Sequence, residues 1–196
     1  MPTYKSIECG AATKIKGRQC RRRTIATSPY CYQHARIIQG LQVKKSKIKA
    51  AGKGLYAARD FKKNERIEEY TGVRTNTAPA NIATNDYIAE VKSKDEGSAW
   101  INAENPTKSS IMRYANDCSR KDKECTSNNA TFYYYRKPGP QPKNRRDKVV
   151  NPNKTRMYVK AKRPIKKGAE IYLGYGTDYW RWKRKSAKLK AKKANR

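Results

Sequence analysis

The sequence predicts a mainly β fold with short helices, preceded by a small zinc-binding module. Three observations carry this reading. From residue 41 the chain reads as short runs of β-branched and aromatic residues punctuated by Gly, Asn and Pro. Within the first 34 residues, three of the five cysteines gather with the only histidine. Finally, 14 Tyr and 3 Trp in a chain that is only 36% hydrophobic point to an ordered core with polar attachments, because disordered chains are poor in aromatics.

The N-terminal module, placed at 1–39, has too few apolar side chains to bury a core of its own. Cys9, Cys20, Cys31 and His34 offer another staple, with ten residues between successive cysteines and a close Cys-x2-His couple at the end. Four such ligands suit tetrahedral Zn2+, and the metal supplies the folding energy that the composition lacks. The competing reading is a basic arm with three idle thiols and a surface imidazole. The string CGAATKIKGRQCRRRTIATSPYCYQH also resembles small modules of three cysteines and one histidine found appended to other domains. RQCRRR leaves an anionic partner and a plain docking role equally open.

The next domain, placed at 41–182, begins with β-type runs in LQVKKSKIKA, AGKGLYAARDF and ERIEEYTGV. A more helical stretch is expected over NTAPANIATNDYIAEV, then a strand in SAWINA and a short irregular segment in SSIMRYANDC. NATFYYYRK and TRMYVKAKRPI alternate in the manner of a strand pair. Between them, KPGPQPKNRRDKVVNPNK holds four Pro and many charges, which predicts a long exposed basic loop. EIYLGYGTDYW reads as a last strand running into an aromatic end, and the chain closes on a basic tail, 183–196.

The formal charge is +31, unevenly placed. Residues 1–39 carry eight basic and one acidic side chain, 136–156 eight and one, and 181–196 nine and none. The other 120 residues hold 22 basic and 14 acidic groups, an ordinary surface balance. The polycation is an accessory of the fold, suited to DNA, a nucleosome or another polyanion. No run approaches the roughly 18 apolar residues of a membrane span, and MPTYKSIECG lacks the apolar centre of a secretory signal, so no membrane role is expected. An odd cysteine count without an export signal disfavours a disulfide framework, and a reducing compartment is expected. Cys118 and Cys125 are read as isolated thiols.

Alone, AGKGLYA is an ordinary glycine turn. Together, AGKGLYAARDFKKNERIEEYTG, WINA, RYANDC and AKRPIKKGAEIYLGYGTDYW form four collinear blocks that resemble the SET-domain family of protein lysine methyltransferases across 41–182. The resemblance implies small β-sheets of the β-clip type, a C-terminal segment threaded into a pseudoknot, and S-adenosyl-L-methionine and the target lysine entering from opposite faces. It assigns Gly52, Lys53, Gly54, Leu55, Arg113, Asn116, Asp117, Tyr175 and Trp180 to cofactor binding. Tyr175 is the main catalytic candidate, with Tyr179 and Tyr87 as channel walls; a core role for Tyr87 stays open.

Four positions depart from the family pattern. Asp117 stands for a His, Asn102 for an Asp, Val73 for a Glu and Gly174 for a polar residue. No Cys follows 125, so the zinc site that many relatives build after the domain cannot form, and TDYWRW must close the site, as in the compact SET proteins of large DNA viruses and some bacteria.

Two functions are thus in play. The first is lysine N-methylation of a histone or another basic chromatin protein, with the basic loop and tail on DNA or a nucleosome. The second is a catalytically weakened SET-fold protein that binds or packages DNA. Methylation of a tail lysine in cis is a further option. A nucleus or a viral particle is the expected location, and a homodimer is left open.

Overall fold

A computed structural model of the chain describes residues 7–12, 17–24, 30–82, 84–93, 97–118, 125–136 and 155–184. The N-terminal module is held by two short antiparallel strands, β1 (Ile7–Glu8) and β2 (Arg23–Thr24). It is followed by a helical turn over Tyr32–His34 that widens into a π-helical turn over Ala35–Gln39. Gly40 ends that turn with φ +69°, its N–H bonded to the Ala35 carbonyl, a left-handed cap that glycine adopts without strain.

The domain that follows consists of small sheets, as the sequence predicts. β3 (Leu41–Lys45) and β4 (Lys53–Ala57) form an antiparallel hairpin. β5 (Arg66–Glu69) is an edge of a three-stranded sheet, while β6 (Val73–Thr75), β7 (Ile88–Ser93) and β8 (Gly97–Asn102) make another in the order β6-β8-β7. A single 3₁₀ turn, Ile111–Tyr114, leads towards β9 (Ala130–Arg136) and β10 (Thr155–Ala161), which complete the order β5-β10-β9. Alternation positions β10: Met157, Val159 and Ala161 are buried, whereas Arg156 is exposed. Leu41, Leu55, Phe61, Val91, Met112, Val159, Ile171 and Leu173 belong to one continuous apolar cluster that these sheets share.

Three sequence expectations are corrected. Residues 76–91 do not form a helix. Asn81 closes turns by accepting the N–H groups of Thr84 and Asn85, the Asn85 side chain accepts the Tyr87 N–H, and Ile88–Ser93 is taken up by pairing with β8. The Asn81 bonds are main-chain ones, and it is the Asn85 side chain that competes with continued helical bonding by taking the Tyr87 N–H.

Residues 170–180 are not one strand. The chain makes isolated bridges at Glu170 to Tyr56 and at Leu173 to Ala130, and turns helical over 177–184. Its backbone instead bonds three partners: Ile171 N to Leu55 O, Leu173 N to Asn116 O, and Ala130 N to Tyr172 O. This crossing locks the C-terminal segment between hairpin, loop and sheet, as a pseudoknot requires.

Cys118 and Cys125 are joined as a disulfide rather than standing as isolated thiols, because the turn at 125–128 folds back on Cys118 and the Asn128 side chain accepts the Cys118 N–H. Of the basic loop expected at 136–156, Arg136 ends β9 and Thr155 and Arg156 open β10, while 137–154 and residues 185–196 of the basic tail lie outside the described residues. No helix among the described residues is long and apolar enough to cross a membrane.

Candidate functional site

Cys9, Cys20 and Cys31 are buried, and their sulfurs and a ring nitrogen of His34 all lie within 4.8 Å of one another. Cys9 Sγ and Cys31 Sγ stand 3.3 and 3.4 Å from His34 Nδ1. Burial raises the Cys31 thiol, yet the backbone N–H groups of His34 and Gln33 outweigh it and hold the pKa at about 7. The donor set and its spacing fit Zn2+, which binds cysteine as thiolate and so favours loss of the thiol protons on binding. The helical turn that carries His34 continues into Ala35, which already belongs to the main core, and Tyr30 packs against both clusters.

Two cavities meet in the main domain. The first, about 330 Å³, is lined by Tyr70, Phe132, Tyr134 and Trp182 among others, with Asp86, Glu90 and Asp178 also on its wall. The second, about 420 Å³, is lined by the 48–51 turn, Lys53, Tyr87, Tyr114, Asn116, Asp117 and Trp180. Asp86, Arg113, Tyr175 and Tyr179 border both. They form the partition between the two spaces.

Each member of the partition is held by its own bonds. Arg113 donates from Nε to the Ala103 carbonyl at 2.7 Å and lies over the Tyr87 ring at 4.0 Å. The Tyr175 hydroxyl donates to the Ala115 carbonyl at 2.9 Å, and its ring meets Tyr179 edge-on, centroids 4.8 Å apart. Tyr179 in turn meets Trp180 edge-on and donates its hydroxyl to Asp86 Oδ1 at 3.0 Å. Burial pushes the Tyr175 hydroxyl well above its ordinary pKa, with the nearby Tyr70, Tyr179 and Asp117 adding to it. Burial, then the Asp117 charge, raises Tyr179 to about 12. Both hydroxyls therefore stay protonated at neutral pH.

Asp117 is the clip. Its Oδ2 accepts the Tyr175 N–H at 2.9 Å and the Trp180 indole N–H at 2.8 Å, while Oδ1 accepts from the Asn128 amide at 2.8 Å. Asn116 donates to the Lys53 carbonyl at 3.0 Å. The departures from the family pattern lie at two places in the fold. Val73 lies directly opposite Asn102 in the β6-β8 register. A side chain at Gly174 would press on Asn128, the amide that Asp117 binds.

The glycine turn divides its work. Lys53 lines the second cavity, and Gly52 takes φ +69° to make the turn. Leu55 is buried in the core, and a Cβ at Gly54 would collide with the Glu170 carboxylate. Glu170 is only 2% exposed and accepts from Ser46 Oγ, the Lys47 N–H and the hydroxyls of Tyr56 and Tyr172 at 2.6 to 3.1 Å. Burial, then Glu170, pushes Tyr56 up to about 12. Glu170 thereby anchors the hairpin end whose 48–51 turn borders the second cavity.

Tyr70, Asp86, Phe132, Tyr134 and Trp182 line the first cavity without having been singled out from sequence. Tyr70 was within reach, since it is the tyrosine of the EYTG block. Asp86 was not, because only the turn before β7 brings it to Tyr179.

A family model for the SET domain matches residues 52–176. No curated protein matches the chain in sequence. Among solved structures, the chain is similar to the methyltransferase domain of human PR domain-containing protein 2, with 20% identity over 71% of this chain and 78% of that one and a TM-score of 0.48. It is similar to a candidate histone methyltransferase of Plasmodium falciparum at 20% identity, covering 70% of this chain and 97% of that one, TM-score 0.43. For ATXR5 in complex with a mono-methylated histone H3.1 the values are 22%, 69%, 56% and 0.47. With the family model spanning more than half of its length, the chain belongs to the SET-domain family of methyltransferases.

Proposed function

We propose that the protein is an S-adenosyl-L-methionine-dependent lysine N-methyltransferase acting on a histone or another basic chromatin protein in the nucleus. One observation carries the reading: two cavities share a wall of Tyr175, Tyr179, Arg113 and Asp86, so two ligands can meet from opposite sides. The second cavity, with Lys53, Asn116, Asp117 and Trp180 on its wall, suits the cofactor, which when bound supplies an electrophilic methyl group on a positively charged sulfur. The first, walled by Tyr70, Phe132 and Tyr134, suits the lysine stem.

The residues do the rest by position. A free lysine of pKa about 10.4 must lose a proton before it attacks, which costs about 4 to 5 kcal/mol at neutral pH. An aromatic channel disfavours the ammonium, and a neighbouring positive charge pushes the same way. Tyr175 and Tyr179 are held protonated, so they orient the amine nitrogen by hydrogen bonding and do not act as bases. Asp86, Glu90 and Asp178 stand on the same wall beside Arg113, with Asp86 paired to Lys183 and Asp178 to Arg181, so an incoming lysine meets carboxylates that already hold cations.

The reading of a catalytically weakened DNA-binding protein rests on the four family departures. An intact site is favoured because Asp117, one of the four, accepts both the Tyr175 N–H and the Trp180 indole N–H and so holds the aromatic wall. Contact of the basic loop and tail with nucleosomal DNA belongs to the same proposal, supported by their charge.

The test is transfer of labelled methyl to core histones and nucleosomes, with Tyr175→Phe as control. Absence of transfer to histones, nucleosomes and whole lysate rejects it.

A second reading, methylation of the tail in cis, is favoured by one contact. Lys183 Nζ is bonded to the Asp86 carboxylate and lies 5.7 Å from the Tyr179 ring centroid. Peptide mapping is expected to find methyl on Lys183 that disappears in Tyr175→Phe; an unmodified Lys183 in active protein excludes this reading.

A further inference from the structure

β9 carries four consecutive aromatics, Phe132, Tyr133, Tyr134 and Tyr135, and strand alternation divides them. Phe132 and Tyr134 lie on the side that lines the first cavity, Phe132 half-buried and Tyr134 44% exposed at its opening. Tyr133 and Tyr135 turn to the opposite face, where β10 adds Tyr158 directly across from Tyr133. Tyr133 and Tyr158 stack, centroids 5.6 Å apart at 27°, and Tyr135 meets Tyr158 at 6.4 Å and 66°. Tyr135 is 50% exposed. Tyr158 is 8% exposed and packs beneath the other two, so the ring surface this face offers comes from Tyr133 and Tyr135, on a side of the sheet that is ordinarily polar.

The rings are interleaved with cations. The Arg66 guanidinium lies 4.8 Å from the Tyr158 ring centroid, and Lys160 Nζ lies 5.7 Å from that of Tyr133. Arg156 pairs with Tyr135 in register, and its side chain is 62% exposed. The acid on this face is Glu69, opposite Tyr158 and 3.5 Å from Arg156. Three cations against one carboxylate leave the face positive. In the sequence, residues 137–154 between β9 and β10 carry six basic side chains and one acidic one.

We propose that the outer face of the β5-β10-β9 sheet binds single-stranded nucleic acid, with bases stacked on Tyr133 and Tyr135 and phosphates held by Arg66, Arg156 and Lys160. Flat aromatic surface with flanking cations is the combination that single strands select, because every base offers a π-face and every linkage a charge. A duplex keeps its bases inside and meets only the cations. This site is separate from both cavities and lies on the reverse of the strand that walls the lysine channel, so a nucleic acid there would stand back to back with the substrate.

The experiment uses full-length protein, a labelled oligothymidylate and a duplex of equal length, with anisotropy followed across a salt series. Tyr133→Ala and Tyr135→Ala are expected each to weaken oligothymidylate binding roughly ten-fold. The salt slope should stay unchanged, because the phosphate contacts remain. Tyr135→Phe should bind as the parent, and duplex affinity should move little in every variant. Ring-removing variants that leave oligothymidylate binding intact, or that weaken duplex and single strand alike, overturn the proposal. Photo-crosslinking of the unmutated protein to an iodouracil-substituted strand reads the same site without substitution. Adducts on Tyr133 or Tyr135 support it, and adducts confined to the loop and tail peptides overturn it.

Discussion

The N-terminal module and the domain behind it are held together by different chemistry. Among the described residues, the module's apolar cluster is Cys9, Ala11, Cys20 and Cys31, three of which are also its candidate zinc ligands. The domain's cluster runs from Ala35 to Leu173 and contains Leu41, Leu55, Phe61, Met112 and Val159 in full burial. Removing four ligand atoms leaves the first with almost nothing to bury. Removing four side chains from the second leaves most of its core. Metal ligation substitutes for a hydrophobic interior when the chain is too short to build one, and Tyr30, touching both clusters, is where the two regimes meet.

The largest expected effect breaks that comparison most directly. In a module loaded with Zn2+, chelation is expected to remove about 10 kcal/mol or more of metal-binding free energy, and Cys31→Ser to weaken the same candidate site. Hydrogen exchange should then show loss of protection at Cys9 to Thr24 and retention through β3 to β10. Simultaneous loss in both regions would mean that the Tyr30 contact makes them one cooperative unit.

The reverse experiment is Leu55→Ala, expected to cost the domain about 3 kcal/mol, seen as a lower melting temperature with zinc content unchanged. Tyr175→Phe separates fold from chemistry. Melting should change little, while methyl transfer falls about a hundred-fold because the orienting hydroxyl is gone.

Reducing the Cys118–Cys125 bond should cost about 2 kcal/mol, since it closes a short loop, and is measured as a shift in urea midpoint with and without reductant. This would show that the domain's third device, a covalent link, is minor beside burial.

The smallest effect is a null one. With Tyr179 raised to about 12 and Tyr175 raised well above its ordinary value, the hydroxyls remain protonated from about pH 8 to about pH 10. The pH–rate profile should therefore rise with lysine deprotonation and show no descending limb in that window. Stability follows the same sign. A tyrosine whose folded pKa is raised stabilises fully below the unfolded value near 10 and loses that contribution as pH climbs towards 12. An alkaline unfolding limb, shallower in Tyr179→Phe, checks it.

Much of this was legible in the sequence because local patterns carried it. Period-two alternation located β9 and β10, and the spacing of Cys9, Cys20, Cys31 and His34 located the metal site. What failed had competing local and long-range causes. Residues 76–91 looked helical by composition, but Asn81 and Asn85 bond backbone groups and β8 offers Ile88–Ser93 a full ladder. Residues 170–180 looked like a strand, but their partners are scattered over Leu55, Asn116 and Ala130, none of which is near in sequence. Cys118 and Cys125 carried no signal of pairing, because it is the Asn128 side chain, ten residues on, that accepts the Cys118 N–H and holds the two stretches together.

By itself, then, the sequence determined which residues alternate, which ligands cluster and which four blocks mark the family, since each of these depends on near neighbours along the chain. Only the tertiary structure decided that Asp117 would hold Tyr175 and Trp180, that Asp86 would face Tyr179, and that the four aromatics of β9 would be shared between a channel and an outer face. Those outcomes depend on which distant segments are packed together, and packing is a property of the whole core.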